Sequence, residues 1–244
     1  MTKRPAALVV GAGDATGGAI ARAFACDGLV ACVNRRPTNA DKLEELAASI
    51  RRDGYAARAF PADARDEDQM VAMVDTIEQE VGQIEVAVFN IGANVNFPIT
   101  EMTARVYRKV WEMACFGGFL MGREVARHMS VRERGTIIFT GATASLRGGS
   151  GFSAFAGAKA ALRMLAQSMA RELGPRNIHV AHTIIDGAID TDFIAQRMSD
   201  IDSARDADAI LSPDEIAKNY VMLHHQARTA WTHELDLRPW TERF

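Results

Sequence analysis

Seven short apolar runs, separated by longer amphipathic stretches, set the strongest limit on what this chain can fold into. The runs are AALVV (6–10), LVACV (29–33), YAARAF (55–60), IEVAVFN (84–90), GTIIFTG (135–141), IHVAHTII (178–185) and THELDL (232–237). Helix-patterned segments lie between them: 14–28, 38–54, 66–82, a long one from Thr103 to Met129, Ser153 to Leu173, and 212–226. In the second of these, Leu43, Leu46 and Ile50 mark one apolar face, Thr38 or Asn39 stands at the start, and Gly54 follows the end. Strand–helix alternation of this kind predicts a doubly wound parallel α/β sheet, covered by helices on both faces in three layers. The 244 residues, with no repeat, low-complexity tract or linker, predict a single domain over 1–244. Such sheets bind ligands at the carboxyl ends of their strands, so the loops after Val10, Val33, Phe60, Asn90, Gly141 and Ile185 matter most.

Several function classes are disfavoured. A net charge of −3 without a basic block argues against a nucleic-acid binder. No apolar run approaches the roughly 18 residues of a membrane span. Three cysteines, Cys26, Cys32 and Cys115, form no CxxC pair and fit a reducing cytoplasm. No metal site is expected; His224 and His225 are adjacent on a helix and do not share a face.

The first loop, VVGAGDATGG, places Gly11, Gly13, Asp14, Thr16 and Gly17 between a strand and a helix. Glycines there permit close backbone approach to a pyrophosphate, and the helix start offers unpaired N–H groups. The second strand ends in Asn34, Arg35 and Arg36. An NAD site usually carries an acid at this place, whereas two guanidiniums suit a 2′-phosphate, so NADP is expected over NAD. Asp14 pulls mildly the other way.

Further along, Asp63 and Ala64 follow the third strand, FNIG holds Asn90, Ile91 and Gly92, FAGAK holds Phe155 and Lys159, and DGAIDT holds Asp186, Gly187, Ile189 and Thr191. In this order and spacing, the partial motifs resemble those of the short-chain dehydrogenase/reductase family over nearly the whole chain. The resemblance implies a Rossmann-type fold, an oxidoreductase activity on a small-molecule substrate, and a homodimer or homotetramer built on the two helices flanking the site. It also implies cofactor contacts at Asp63, Ala64, Asn90, Ile91, Gly92, Lys159, Gly187, Ile189 and Thr191. The family's tetrad of Asn, Ser, Tyr and Lys keeps only Lys159. Ala114, Ala142 and Phe155 occupy the other three positions. A one-residue shift offers Thr143 for the serine, Ser145 lies farther off, and no shift offers a tyrosine. Asp186, in the family's proline position, is the first candidate for a replacement proton donor, ahead of His182 and Lys159 itself. Two readings follow: an NADP(H) oxidoreductase with altered proton transfer, or a catalytically degenerate dinucleotide-binding sensor or partner subunit.

Overall fold

The computed structural model describes residues 3–13 and 15–242. Its strands are β1 (Ala6–Val10), β2 (Val30–Arg35), β3 (Ala57–Pro61), β4 (Ile84–Phe89), β5 (Gly135–Thr140), β6 (Ile178–Ile185) and β7 (Glu234–Leu237). They form one sheet in the order β3-β2-β1-β4-β5-β6-β7, every neighbour parallel. The helices are α1 (Thr16–Cys26), α2 (Ala40–Arg52), α3 (Glu67–Thr76), α4 (Ala104–Trp111), α5 (Gly117–Arg132), α6 (Ser153–Leu173), α7 (Asp192–Ala195), α8 (Ile201–Asp206) and α9 (Pro213–His224).

Strand alternation divides the apolar residues between two cores. Leu8 and Val10 of β1 pack with Met70 of α3, Val125 of α5 and Leu162 of α6 on one face. Ala7 and Val9 pack with Phe24 of α1, Leu43 of α2 and Tyr220 of α9 on the other. Local chemistry sets the helix starts: Asp66, Thr103 and Ser212 each cap a helix by accepting a backbone N–H. Gly28 and Gly54, both at positive φ, follow the ends of α1 and α2.

The long helix expected at 103–129 forms as α4 and α5 joined by a π-helical turn, Glu112–Phe116. α2 begins later than expected, because Pro37–Asn39 is a 3₁₀ turn and no side chain caps the helix. β2 runs on to Arg35, beyond its apolar pattern. Asn34 is buried there because its Nδ2 donates to Phe60 O at 2.8 Å and Ala62 O at 3.1 Å. The charged stretch after β6 holds α7 and α8, with Arg205 bonded to Asp190 and Asp202. No helix among the described residues is long and apolar enough to cross a membrane.

Candidate active site

Three concavities line the carboxyl edge of the sheet. The first is the glycine loop. Gly11 sits at φ +88, and a Cβ on Gly17 would lie 2.4 Å from Gly11 O and 2.8 Å from Ala12 Cα, so loop and helix touch backbone to backbone. A Cβ on Gly13 would meet nothing within 4 Å and faces open space. Ala15 supplies no side-chain cap, which leaves the first N–H groups of α1 open toward this concavity. Asn90 Nδ2 donates to Gly11 O at 3.3 Å and ties the loop to the end of β4. The cradle fits a pyrophosphate. Asp14 lies outside the described residues.

The second concavity, about 270 Å³, lies between the ends of β2 and β3 and is lined by Arg35, Arg36, Asp63, Ala64 and Arg65 among others. Asn34 also borders it, but its side-chain amide is committed to the β3 carbonyls. Arg65 clasps Asp63 with two bonds, Nε to Oδ1 at 2.9 Å and Nη2 to Oδ2 at 2.5 Å. The Arg65 side chain, aided by the nearby charge of Arg36, holds the Asp63 carboxyl below the usual carboxylate range against a smaller desolvation effect. Arg65 was not singled out from sequence; its only signal there was a cation inside the acid-rich run DARDED.

The third concavity, about 670 Å³, opens between β4, β5, β6 and α6. Lys159 reaches its floor. Its side chain is buried, and Nζ donates to Thr140 O at 2.7 Å and Ile91 O at 3.0 Å. Burial pulls the ammonium down to about 8, slightly opposed by Cys115. Phe155, one helical turn earlier, is nearly buried with its ring centroid 5.9 Å from Nζ. Ala142 and Phe155 form apolar wall of the same cavity. Ala114 is fully buried in the π turn, packed with Phe155 and Ala158. π turns recur at functional sites, and here the turn is present without a polar side chain at its centre.

Of the two hydroxyls weighed for the serine role, Thr143 lines the cavity. Ser145 turns under the loop, where its Oγ accepts from Ala142 N at 3.1 Å. Thr143 Oγ1 donates to Asp186 Oδ1 at 2.5 Å. Asp186 is 1% exposed, behind the cavity wall. Arg147 Nη2 stands 3.5 Å from its Oδ1 and Arg238 Nη1 is 3.8 Å from its Oδ2. Arg147 and Arg238 also escaped the sequence reading; the former lies in the glycine-rich SLRGGSG, which reads as a turn.

Gly187, Ile189 and Thr191 border the cavity. Gly187 is at φ +151, and a Cβ there would sit 2.8 Å from Pro239 Cδ. Thr191 Oγ1 accepts from Ile194 N at 3.2 Å and caps α7. His182 does not reach the cavity. It is wholly buried, its Nδ1 3.3 Å from Glu234 Oε2, and Glu234 is clasped by Arg163. Burial pushes its imidazolium down to about 4, against the opposing charge of Glu234. Tyr220 supplies no substitute acid either: it is fully buried, its hydroxyl shares bonds of 2.8 Å with Thr140 and Thr183, and burial pushes it up to about 12. Among the described residues no group of three metal ligands occurs.

A family model for short chain dehydrogenases matches residues 5–202. A crystal structure of a short-chain dehydrogenase from Rhodopseudomonas palustris is 47% identical, with a TM-score of 0.83 over 97% of this chain and 99% of that one. The curated 2-dehydro-3-deoxy-D-gluconate 5-dehydrogenase of Formosa agariphila is 30% identical over 174 residues, 71% of this chain and 66% of that protein. Actinorhodin polyketide ketoreductase, in a crystal structure with NADPH, gives a TM-score of 0.87 over 98% of both chains at 22% identity, a likeness of fold alone.

Proposed function

Because the chain belongs to the short-chain dehydrogenase family, we propose that it is an NADP(H)-dependent oxidoreductase with an altered proton-transfer site. The observation that carries this reading is Lys159, whose ammonium is held between Thr140 O and Ile91 O at the floor of the largest of the three concavities. The two carbonyls fix the ammonium in place and leave its third N–H for a ligand in the cavity. The glycine loop and the start of α1 hold the pyrophosphate. Arg35 and Arg36 take the 2′-phosphate, and the two-point geometry of guanidinium on phosphate favours NADP over NAD. The NADPH in the ketoreductase structure agrees with this choice. Lys159 holds the nicotinamide ribose.

Bound NADP(H) supplies or accepts the hydride. The proton is left to the protein. Thr143 directs its own hydroxyl hydrogen at Asp186 Oδ1, so the lone pairs of Oγ1 are the part that meets substrate. In the alcohol-to-carbonyl direction the substrate hydroxyl gives its proton to Thr143 Oγ1 as the Thr143 proton passes to Asp186 Oδ1. Ala142 and Phe155 exclude water from this wall and provide no proton.

The homodimer or homotetramer is supported by an aromatic row on the outer face of α4 and α5. Trp111, Phe116 and Phe119 stack at centroid separations of 5.8 and 6.0 Å, and Trp111 and Phe119 are exposed. The second reading, a dinucleotide-binding protein without turnover, is favoured by the three positions Ala114, Ala142 and Phe155, none of which carries a protic side chain.

Nucleotide titration by fluorescence separates the parts. NADPH is expected to bind tighter than NADH, and Arg35→Ala with Arg36→Ala to remove the preference; equal binding by the unmodified protein would overturn the cofactor assignment. Turnover of an alcohol and carbonyl panel is then compared among the unmodified chain, Thr143→Val, Lys159→Ala, and Ala142→Ser with Phe155→Tyr. Loss on either single change supports the oxidoreductase. A silent parent with an active double variant supports the second reading, because a positioned acid contributes about 10²–10⁴-fold.

A further inference from the structure

The charges facing the third concavity are one-sided. Among the described residues, Lys159 and Arg147 line it and no aspartate or glutamate does. Lys159 is committed at the floor through its two carbonyl bonds. Arg147 is different: its side chain is about half exposed (47%), and its contact to Asp186 Oδ1 is long, at 3.5 Å. That carboxylate does not depend on Arg147, since Oδ1 also accepts from Thr143 and Oδ2 lies 3.8 Å from Arg238. The Arg147 guanidinium, with five N–H donors in a planar fork, therefore presents donors to the cavity mouth. Much of the wall is apolar, with Phe152, Phe155, Phe193, Ile189 and Ile194, and its uncharged polar side chains include Asn94 and Thr143. A pocket of this make-up buries a carbon skeleton and fixes it by a few polar groups.

We propose that Arg147 is the substrate-recognition residue of this site, binding the carboxylate of an organic acid whose apolar body packs on the phenylalanine and isoleucine side chains of the wall. This substrate class rests on the oxidoreductase reading and sharpens it. A carboxylate is favoured over a phosphate because one guanidinium matches its two oxygens and its single charge, whereas a phosphoryl group carries nearly two charges and would draw on a second cation. A neutral substrate would leave the exposed guanidinium of Arg147 with only its long contact to Asp186. Phe155 contributes to the same selectivity: where the family tyrosine would present a hydroxyl, the phenyl ring continues the apolar wall, and Arg147 is the exposed charged side chain among the described residues of the lining.

The test is ligand-detected NMR titration of the full chain, with and without saturating NADPH, using benzoate, its neutral isostere benzamide, and phenyl phosphate. Benzoate is expected to bind about 10- to 100-fold tighter than benzamide, the range of a charge-assisted contact. Arg147→Gln should bring benzoate to within about threefold of benzamide while leaving the benzamide and NADPH affinities unchanged. Arg147→Lys, which keeps the charge and loses the fork, should retain part of the preference. The proposal falls if benzoate shows no binding or no preference, if the preference survives Arg147→Gln, or if phenyl phosphate outbinds benzoate. Failure of NADPH to bind would instead sink the oxidoreductase reading, and the benzoate–benzamide comparison in cofactor-free protein still decides the role of Arg147.

Discussion

Replacing Lys159 by methionine probes what the buried ammonium does to the fold. Burial takes its pKa from 10.5 to about 8, and at 1.36 kcal/mol per unit this corresponds to about 3 kcal/mol between the two protonation states. The sign follows from proton counting. Between the folded and unfolded pKa values the unfolded chain binds more protons, so stability rises with pH through that window. Lysine 159 is thus most destabilising below about pH 8, and the penalty fades toward pH 10.5. Methionine removes the charge but leaves the Ile91 and Thr140 carbonyls without their donor, an offset of about 1–3 kcal/mol for each. That offset does not vary with pH, so the difference between variants does. Integrating over the shift, the unmodified chain should gain about 2 kcal/mol on the methionine variant between about pH 7 and about pH 9.5. Urea unfolding of both proteins across this range, with equal m-values as the check on two-state behaviour, measures it. A stability difference that stays constant to within about 0.5 kcal/mol would refute the claim that desolvation dominates at Lys159.

Two further outcomes are expected. Gly17→Ala forces the loop and helix apart by its contact with Gly11 O at 2.4 Å, so NADPH affinity should fall at least about tenfold with secondary structure retained; unchanged affinity by fluorescence would mean the loop does not form the cradle described. His182, pushed from 6.5 to about 4 by burial, makes the unfolded chain the better proton binder between those values. Stability should therefore fall as pH drops from about 6.5 toward 4, by up to about 3 kcal/mol from this residue. His182→Gln should flatten that slope in urea titrations, and an identical slope would remove His182 from the acid response.

Much of the architecture was legible because strand burial and helix periodicity are strong local signals. AALVV, IHVAHTII and the helix from Ser153 to Leu173 form with the boundaries read from sequence. What escaped were features decided by contacts distant along the chain. Asn34 and Arg35 extend β2 because carbonyls of another segment receive the Asn34 amide, a bond no local pattern announces. The π turn at Glu112–Phe116 leaves the apolar periodicity of α4 and α5 intact. In the site, Lys159, Phe155 and Ala142 were placed by the resemblance to the family's motifs, and they meet around one cavity. Thr143 and Asp186 were read as separate alternatives, although they are hydrogen-bonded partners. Arg65 and Arg147 lie in segments that look like solvated turns, and only folding aims one at Asp63 and the other at the cavity.

By the motif resemblance Asp186 takes the place of a proline, and its backbone N–H donates to Leu237 O at 2.8 Å, a bond that proline cannot make. Its carboxylate meanwhile engages Thr143 and lies near Arg238, which follows β7. These dependencies make the position epistatic. A change of Asp186 to proline would at once break the backbone bond to Leu237 just past β6, strand the Thr143 hydroxyl and leave Arg238 without this counter-ion, so its effect would exceed the sum of changes at the separate sites. An evolutionary path between the two forms would run through the C-terminal strand as well as the active site. Restoring the proline at 186 would have to rebuild the contacts of Leu237 and Arg238 along with it.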